Sequence, residues 1–266
     1  MQGKNNKSHW KCSCLRSLDL FRQNGRFMRT PFSPTRQDVE RYRRLRTLSR
    51  ELNQRIVKTI PRQAYDEVGD AIGILHNGVL VFDSVDMTSV MMDCCLYDWF
   101  ENGKNLVQRY SETHPAKPGT DESYLLSACT QARYRVLVVQ SAVPDAGLHC
   151  HDVLSSEELF LMDFALSRSL RSGDAALATR TIPLGEYWMT GGAGLPINSK
   201  KAVLHALSRI ESGKHKPLEG PGSVALLIVR TCLAAGVADY VTYESVERKP
   251  KKPRREPRWP GFKRRR

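Results

Sequence analysis

No stretch of this sequence stays apolar long enough to cross a bilayer. The longest, Val224 to Ala238, runs for about 15 residues and is interrupted by Arg230, against the roughly 20 that a spanning helix needs. The first residues, Met1 to Trp10, are polar and lack the apolar segment of an export signal. Cysteine is sparse and odd in number. Seven thiols scattered through 266 residues make no disulfide framework and suit a reducing, cytoplasmic setting. Enzyme motifs are missing too: there is no Gly-x-Ser-x-Gly elbow, no His-Glu-x-x-His and no kinase set. Carboxylates are plentiful, but no two stand out as an acid and a base. These absences lower the expectation of an enzyme without removing it, because a site assembled in space leaves no linear trace. No catalytic residue and no cofactor is assigned from the sequence. No internal repeat of solenoid period is present either.

Acidic residues are what the two ends lack. Residues 1–60 hold 15 Lys and Arg against 4 Asp and Glu, and residues 248–266 hold 11 against 1. The stretch between holds 15 against 23. The net charge of +13 therefore belongs to two basic ends around a mildly acidic body. Such asymmetry points to a polyanionic partner. The ends are also poor in apolar residues, so both are expected to be mobile.

The pattern along the chain changes from helix to strand and back. Ser33, Pro34 and Thr35 form a helix start with Asp38 in the first turn. Val39, Tyr42, Leu45, Leu48, Leu52, Ile56 and Ile60 then recur at steps of three and four, one face of a helix. Arg41, Arg43, Arg44, Arg46, Arg50, Arg55 and Lys58 fill its other faces. Pro61 ends it and opens a second helix with a Tyr65, Val68, Ile72 and Leu75 stripe, closed by Asn77-Gly78. Val79 to Phe82 is a short apolar run. Helix is expected over Val90–Phe100, broken by Asn102-Gly103, then over Leu106–Tyr110, and from a Thr120 cap to about Ala132. Short strands follow at Arg135–Gln140, Leu148–Leu154, Glu158–Phe164, Ala176–Ile182 and Glu186–Thr190, separated by turns. They suggest an antiparallel meander, sandwich or small barrel. Helix returns after Ser199 and again from a Ser223 cap, with a last strand at Tyr240–Tyr243.

The C-terminal run carries the clearest functional signal. Lys251, Lys252, Arg254, Arg255, Arg258, Lys263, Arg264, Arg265 and Arg266 would release counterions from a nucleic-acid backbone. Trp259 and Phe262 can stack on unpaired bases, and four prolines keep the run extended. A solubilising tail with no specific role is the competing interpretation. For the basic helix, the plainer expectation is a Leu stripe packed inward with solvated arginines, rather than an arginine face laid on phosphates.

His149-Cys150-His151-Asp152 places two imidazoles on one face of a strand. His149 and His151 can share a metal at that spacing, but no third or fourth ligand stands nearby. The run also departs from the His-x-His-x-Asp-His pattern of metallo-β-lactamase-like hydrolases, with Asp152 one place early and no third His. Cys12-Ser13-Cys14 has no second Cys pair within the next 75 residues. Cys94 and Cys95 are expected in the core. Gly191-Gly192-Ala193-Gly194 lacks the Walker Lys-Ser/Thr pair and is expected to be a turn.

Leu96-Tyr97-Asp98-Trp99-Phe100, Tyr124-Leu125-Leu126, Tyr134 to Val139, Asp152-Val153-Leu154, and Leu170-Arg171-Ser172-Gly173-Asp174 with Arg180 after it follow one another in a recognisable order. Over about residues 90–197 this order resembles uncharacterised bacterial proteins that often carry a SEC-C zinc motif. The motif itself is absent: Cys12-Ser13-Cys14 matches only its first half, and Gln23-Asn24 stand where its closing cysteines should be. The resemblance implies a helical segment leading into a small β-rich module, and no activity or site.

The expected fold is α+β. A disordered basic arm covers 1–33, a helical subdomain 34–133, a β-rich module 134–197, C-terminal helices packed on the body 198–246, and a disordered basic tail 247–266. The leading functional expectation is an RNA- or DNA-binding cytoplasmic protein acting through its basic termini. The alternatives are a protein-interaction or regulatory module with nonspecific tails, and a metal-dependent enzyme using His149 and His151.

Overall fold

The computed structural model describes residues 32–82, 85–170, 176–197 and 222–235. The expected helix from 199, the strand at Tyr240–Tyr243, Cys12 and Cys14, and the whole basic tail lie outside them. The fold is α+β, with a helical layer packed on a β-barrel.

Helix α1 (Arg36–Val57) begins where its sequence says it should. The Thr35 hydroxyl accepts from the Asp38 amide at 3.2 Å, and the Asp38 carboxylate accepts from the Thr35 amide at 2.9 Å, a reciprocal capping box. Leu45, Leu52 and Ile56 of the stripe are fully buried. Pro61 caps α2 (Arg62–Ile72), which stops at Gly73 in the left-handed conformation. Asn77-Gly78 therefore does not close a helix. It is the turn of a hairpin between β1 (Leu75–His76) and β2 (Val79–Leu80). Asn102-Gly103 turns the hairpin of β3 (Phe100–Glu101) and β4 (Lys104–Asn105) in the same way. All four of these turn residues have positive φ, as a tight two-residue turn requires. Between the hairpins runs α3 (Val85–Tyr97), and α4 (Leu106–Thr113) and α5 (Asp121–Thr130) follow.

Five strands then close a barrel: β5 (Arg133–Val143), β6 (Gly147–Asp152), β7 (Glu158–Met162), β8 (Ala176–Pro183) and β9 (Trp188–Pro196). A short helix, α6 (Phe164–Ser169), lies between β7 and β8. Hydrogen-bonded neighbours run β5-β6-β7-β9-β8 and back to β5. Every pairing is antiparallel except that of β7 with β9. This strand order, with the helix after the third strand, is that of the OB-type Greek-key barrel. Gly191 and Gly192 do not form the expected turn. They lie inside β9, in a bulge where the pairing jumps from Thr179 opposite Gly194 to Thr181 opposite Thr190.

Strand alternation divides the apolar residues into two cores. Leu137, Val139, Leu148, Cys150, Leu161 and Leu177 fill the barrel, with Leu166 and Leu170 of α6 against them. Val136, Val138, Ala178, Ile182, Met189 and Leu195 point outward and join α1–α5 in one larger core. The helical segment and the β-rich module are thus not separate packing units. The last described helix, α7 (Ser223–Ala234), packs on α2 and α3. Its N-cap is Gly222 rather than Ser223. Phe32, expected in a mobile arm, lies on the barrel, 5.1 Å from the Phe160 ring and 5.9 Å from Tyr187.

The two layers meet at one buried charge cluster. Arg180 points out of β8 into the helices, where its Nε donates to Asp93 at 3.2 Å and its Nη2 donates to Asp98. Its guanidinium also lies over the rings of Tyr97 and Tyr134, at 4.7 and 5.0 Å. Gly191 makes room for the cluster: a Cβ there would lie 3.0 Å from the Arg180 Cβ and 3.1 Å from the Asp93 carboxylate. Two carboxylates share one cation, so one negative charge is in excess. Burial, opposed by Arg180 and aided by Asp93, pushes Asp98 up to about 6. A carboxyl raised above its unfolded value contributes stability that is complete at low pH and is lost as the pH rises through about 6. Asp98→Asn removes that contribution. In urea unfolding, the stability of the wild type relative to Asp98→Asn is expected to fall between about pH 4 and pH 7. A pH-independent difference would contradict it.

Candidate functional site

The arginines of α1 are not uniformly solvated; beyond Arg36, which pairs with Glu40 on the same helix, they sort into two sets. One set ties α1 to α5. Arg44 lies 3.4 Å from Asp121, Arg55 2.5 Å from Glu122, and Arg41 stacks 4.5 Å from the Tyr124 ring. The acidic first turn of α5 thus does more than complement its own helix dipole. Exposed pairs of this kind hold orientation and contribute roughly 0–1 kcal/mol each.

The other set faces a cleft of about 530 Å³ between α1, α6 and strands β8 and β9. Arg43, Arg46 and Arg50 line one side, and Arg168 the end of α6. The spacing of 43, 46 and 50 puts all three on one helix face. Arg46 is committed to the fold. Its Nη1 donates to the Thr190 carbonyl at 2.6 Å, and Asn53 donates to the Gly191 carbonyl at 3.4 Å. The β9 bulge is thereby held against α1. Arg168 pairs with Asp145 at 2.5 Å. Arg43 lies over the Phe164 ring at 5.4 Å. Neither Arg43 nor Arg50 has a carboxylate partner among the described residues.

Asp163 is the acidic side chain in the lining. One of its oxygens caps α6, accepting from the Ala165 and Leu166 amides at 3.1 Å each. The other accepts from the Thr190 hydroxyl at 2.8 Å and lies 4.0 Å from Arg46. Its charge is consumed by these contacts, so the cleft keeps an excess of positive charge. Gly192 and Gly194 leave bare β9 backbone in the opposite wall. A separate, shallower depression lies on α1 over Arg43, Arg44, Thr47, Leu48 and Glu51.

His149 and His151 stand on one outer face of β6, as the alternation requires, and are half-buried. His151 Nδ1 lies 2.8 Å from Glu158, and His149 meets the Phe160 ring edge-on at 4.9 Å. Burial lowers the His149 pKa, with Glu158 acting against it. Among the described residues no three His, Cys, Asp or Glu side chains gather where a metal could be held. Cys94, Cys95, Cys129, Cys150 and Cys232 are all buried. Burial pushes Cys95, Cys129, Cys150 and Cys232 up to about 12, so none of these four is a thiolate nucleophile at neutral pH. Lys251, Lys252, Arg254, Arg255, Arg258, Trp259, Lys263, Arg264, Arg265 and Arg266 lie outside the described residues.

In OB-type barrels ligands use the face of the second and third strands. Here that face belongs to β6 and β7, and its β7 part is covered at Phe160 and Met162, 2% and 0% exposed, with Phe32 laid against Phe160, while His149 and His151 of β6 are half-buried. The basic cleft lies elsewhere, beside α6 and the β8–β9 bulge. Its arginines were visible in the sequence as part of a basic helix, but Asp163, Thr190 and the two glycines carried no signal of a shared site. No curated protein and no solved structure matches the chain. Residues 36–212, about two thirds of the sequence, match the model of a family of unknown function, DUF7986, and the chain belongs to that family.

Proposed function

We propose that this protein binds nucleic acid, with RNA the expected class. The observation that carries this is the cleft beside α1, where Arg43 and Arg50 face a concavity whose one acidic side chain is already consumed. Arginine presents a planar fork of donors that fits phosphate oxygens. A long polyanion also accounts for basic segments at both ends, at 1–60 and 248–266, flanking an acidic middle. The barrel topology adds only an analogy, since a fold does not carry a function by itself. In this proposal the cleft and the ends act on one strand, the cleft fixing its path and the ends adding sequence-independent attraction.

A protein-interaction role is favoured by a different observation. Val79, Val81 and Phe82 at the β1–β2 hairpin are 62%, 45% and 39% exposed, an apolar edge of the kind that partners cover.

Retention on single-stranded RNA separates the two. The full chain is expected to bind RNA in a strongly salt-sensitive way, and deletion of 248–266 to weaken the binding without abolishing it. No retention at low salt, together with a protein partner that survives nuclease treatment, would overturn the nucleic-acid proposal.

A further inference from the structure

We infer that the cleft seats a single nucleotide unit of a single strand, phosphate on the α1 side and base against the apolar wall. The inference rests on the nucleic-acid proposal and specifies what enters the site. The cleft volume, about 530 Å³, falls within the range of roughly 300–1,000 Å³ typical of small-ligand sites. That is room for one nucleotide and far too little for a duplex.

The lining is chemically two-sided. Arg43 and Arg50 lie seven residues apart on one face of α1, about 10 Å along its axis, with Thr47 between them. Two long guanidinium stems rooted at that separation can close on one phosphate. Among the described residues, neither would have to leave a carboxylate to do so. The apolar side is the half-buried Phe164, with Arg43 over its ring at 5.4 Å, and the exposed Ala165, backed by the buried Leu166 and Leu177. Inorganic phosphate would leave that surface unused, and a nucleoside would leave the arginines unused.

The β9 glycines give the wall its shape. Gly192 is exposed, with φ of 110°, a conformation that L residues rarely adopt. A Cβ at Gly194 would come within 3.1 Å of Leu177. Their backbone is therefore bare, and a ligand can approach it closely. The bulge that exposes it is pinned to α1 by Arg46, itself in the cleft lining, and by Asn53. The wall is thus set before any ligand arrives.

The test is competition on the full-length protein. A fluorescent single-stranded RNA oligomer is bound, and AMP, adenosine or inorganic phosphate is titrated in at constant ionic strength. AMP is expected to displace the RNA at a concentration at least about tenfold below that of either half-molecule, the sum of two contacts exceeding each. Arg50→Gln is expected to raise the AMP concentration required by about tenfold while the thermal midpoint stays in place, because Arg50 is exposed. Arg43→Gln serves as a second variant with the same expectation. RNA that binds but is displaced no better by AMP than by phosphate overturns the nucleotide seat and leaves the broader proposal standing. A chain that binds no RNA overturns both.

Discussion

Arg180→Met is expected to lower the unfolding free energy by about 3–5 kcal/mol, the cost of leaving a buried charge uncompensated. Asp93 and Asp98 would face each other in the layer interface without their cation. Burial already raises both carboxyls even with Arg180 in place, and Arg180 is what holds them down. A domain has about 5–15 kcal/mol in total, so the variant should be poorly folded at 37 °C. Asp93→Asn and Asp98→Asn in the same background remove the stranded charges and should restore a large part of the loss. Urea midpoints for the wild type, the single and the triple variant measure this. An Arg180→Met protein within about 1 kcal/mol of wild type would mean that the cluster does not tie the layers together.

Charge reversal in the cleft should produce the largest functional effect. Arg43→Glu with Arg50→Glu is expected to weaken single-stranded RNA binding about 100-fold, taking each charged contact as about 1.5 kcal/mol. The dependence of log K on log salt should become shallower by roughly 1.4, since each phosphate contact on a single strand contributes about 0.7. Stability should change little, because both side chains are exposed and have no ion-pair partner among the described residues. Arg44→Glu with Arg55→Glu is the matched control. These two carry the same charge on the same helix but pair with Asp121 and Glu122. Their reversal should cost stability through those pairs and affect binding less. Equal losses of binding for the two double variants would show a diffuse field rather than a cleft.

The elements were largely legible because their signals are local. The Thr35 and Asp38 capping box, the Leu45, Leu52 and Ile56 stripe and the Thr120 cap each depend on residues within a few positions of one another. Four of the five barrel strands began and ended within three residues of expectation. The fifth, β9, was cut short, because Gly191 and Gly192 have the composition of a turn. What they do is set by partners far away: Gly191 admits the Arg180 and Asp93 cluster, and Gly192 lines the cleft. Asn77-Gly78 and Asn102-Gly103 end helical patterns in the sequence, but the same dipeptides are strong hairpin turns, and that is what they form. Barrel closure had no linear trace, since it depends on the parallel pairing of β7 with β9 across α6 and β8.

The cleft was hidden for the same reason. Its walls come from residues 42–50, 163–168 and 177–194, brought together only when α1 packs on the barrel. The sequence showed a basic helix and placed the weight of nucleic-acid contact on the tail at 248–266. The structure divides that helix by partner rather than by charge. Arg41, Arg44 and Arg55 belong to the helix–helix contact, Arg46 to the β9 bulge, and Arg43 and Arg50 remain for a ligand.

Ultraviolet crosslinking of the full chain to single-stranded RNA, with the attached peptides identified by mass spectrometry, tests the cleft most directly. Crosslinks are expected within residues 42–50 and 163–168, where Tyr42 and Phe164 stand beside the arginines, and should disappear in the Arg43→Glu, Arg50→Glu variant. Crosslinks confined to residues 1–31 and 248–266, unchanged by that variant, would contradict a nucleic-acid site on the folded body.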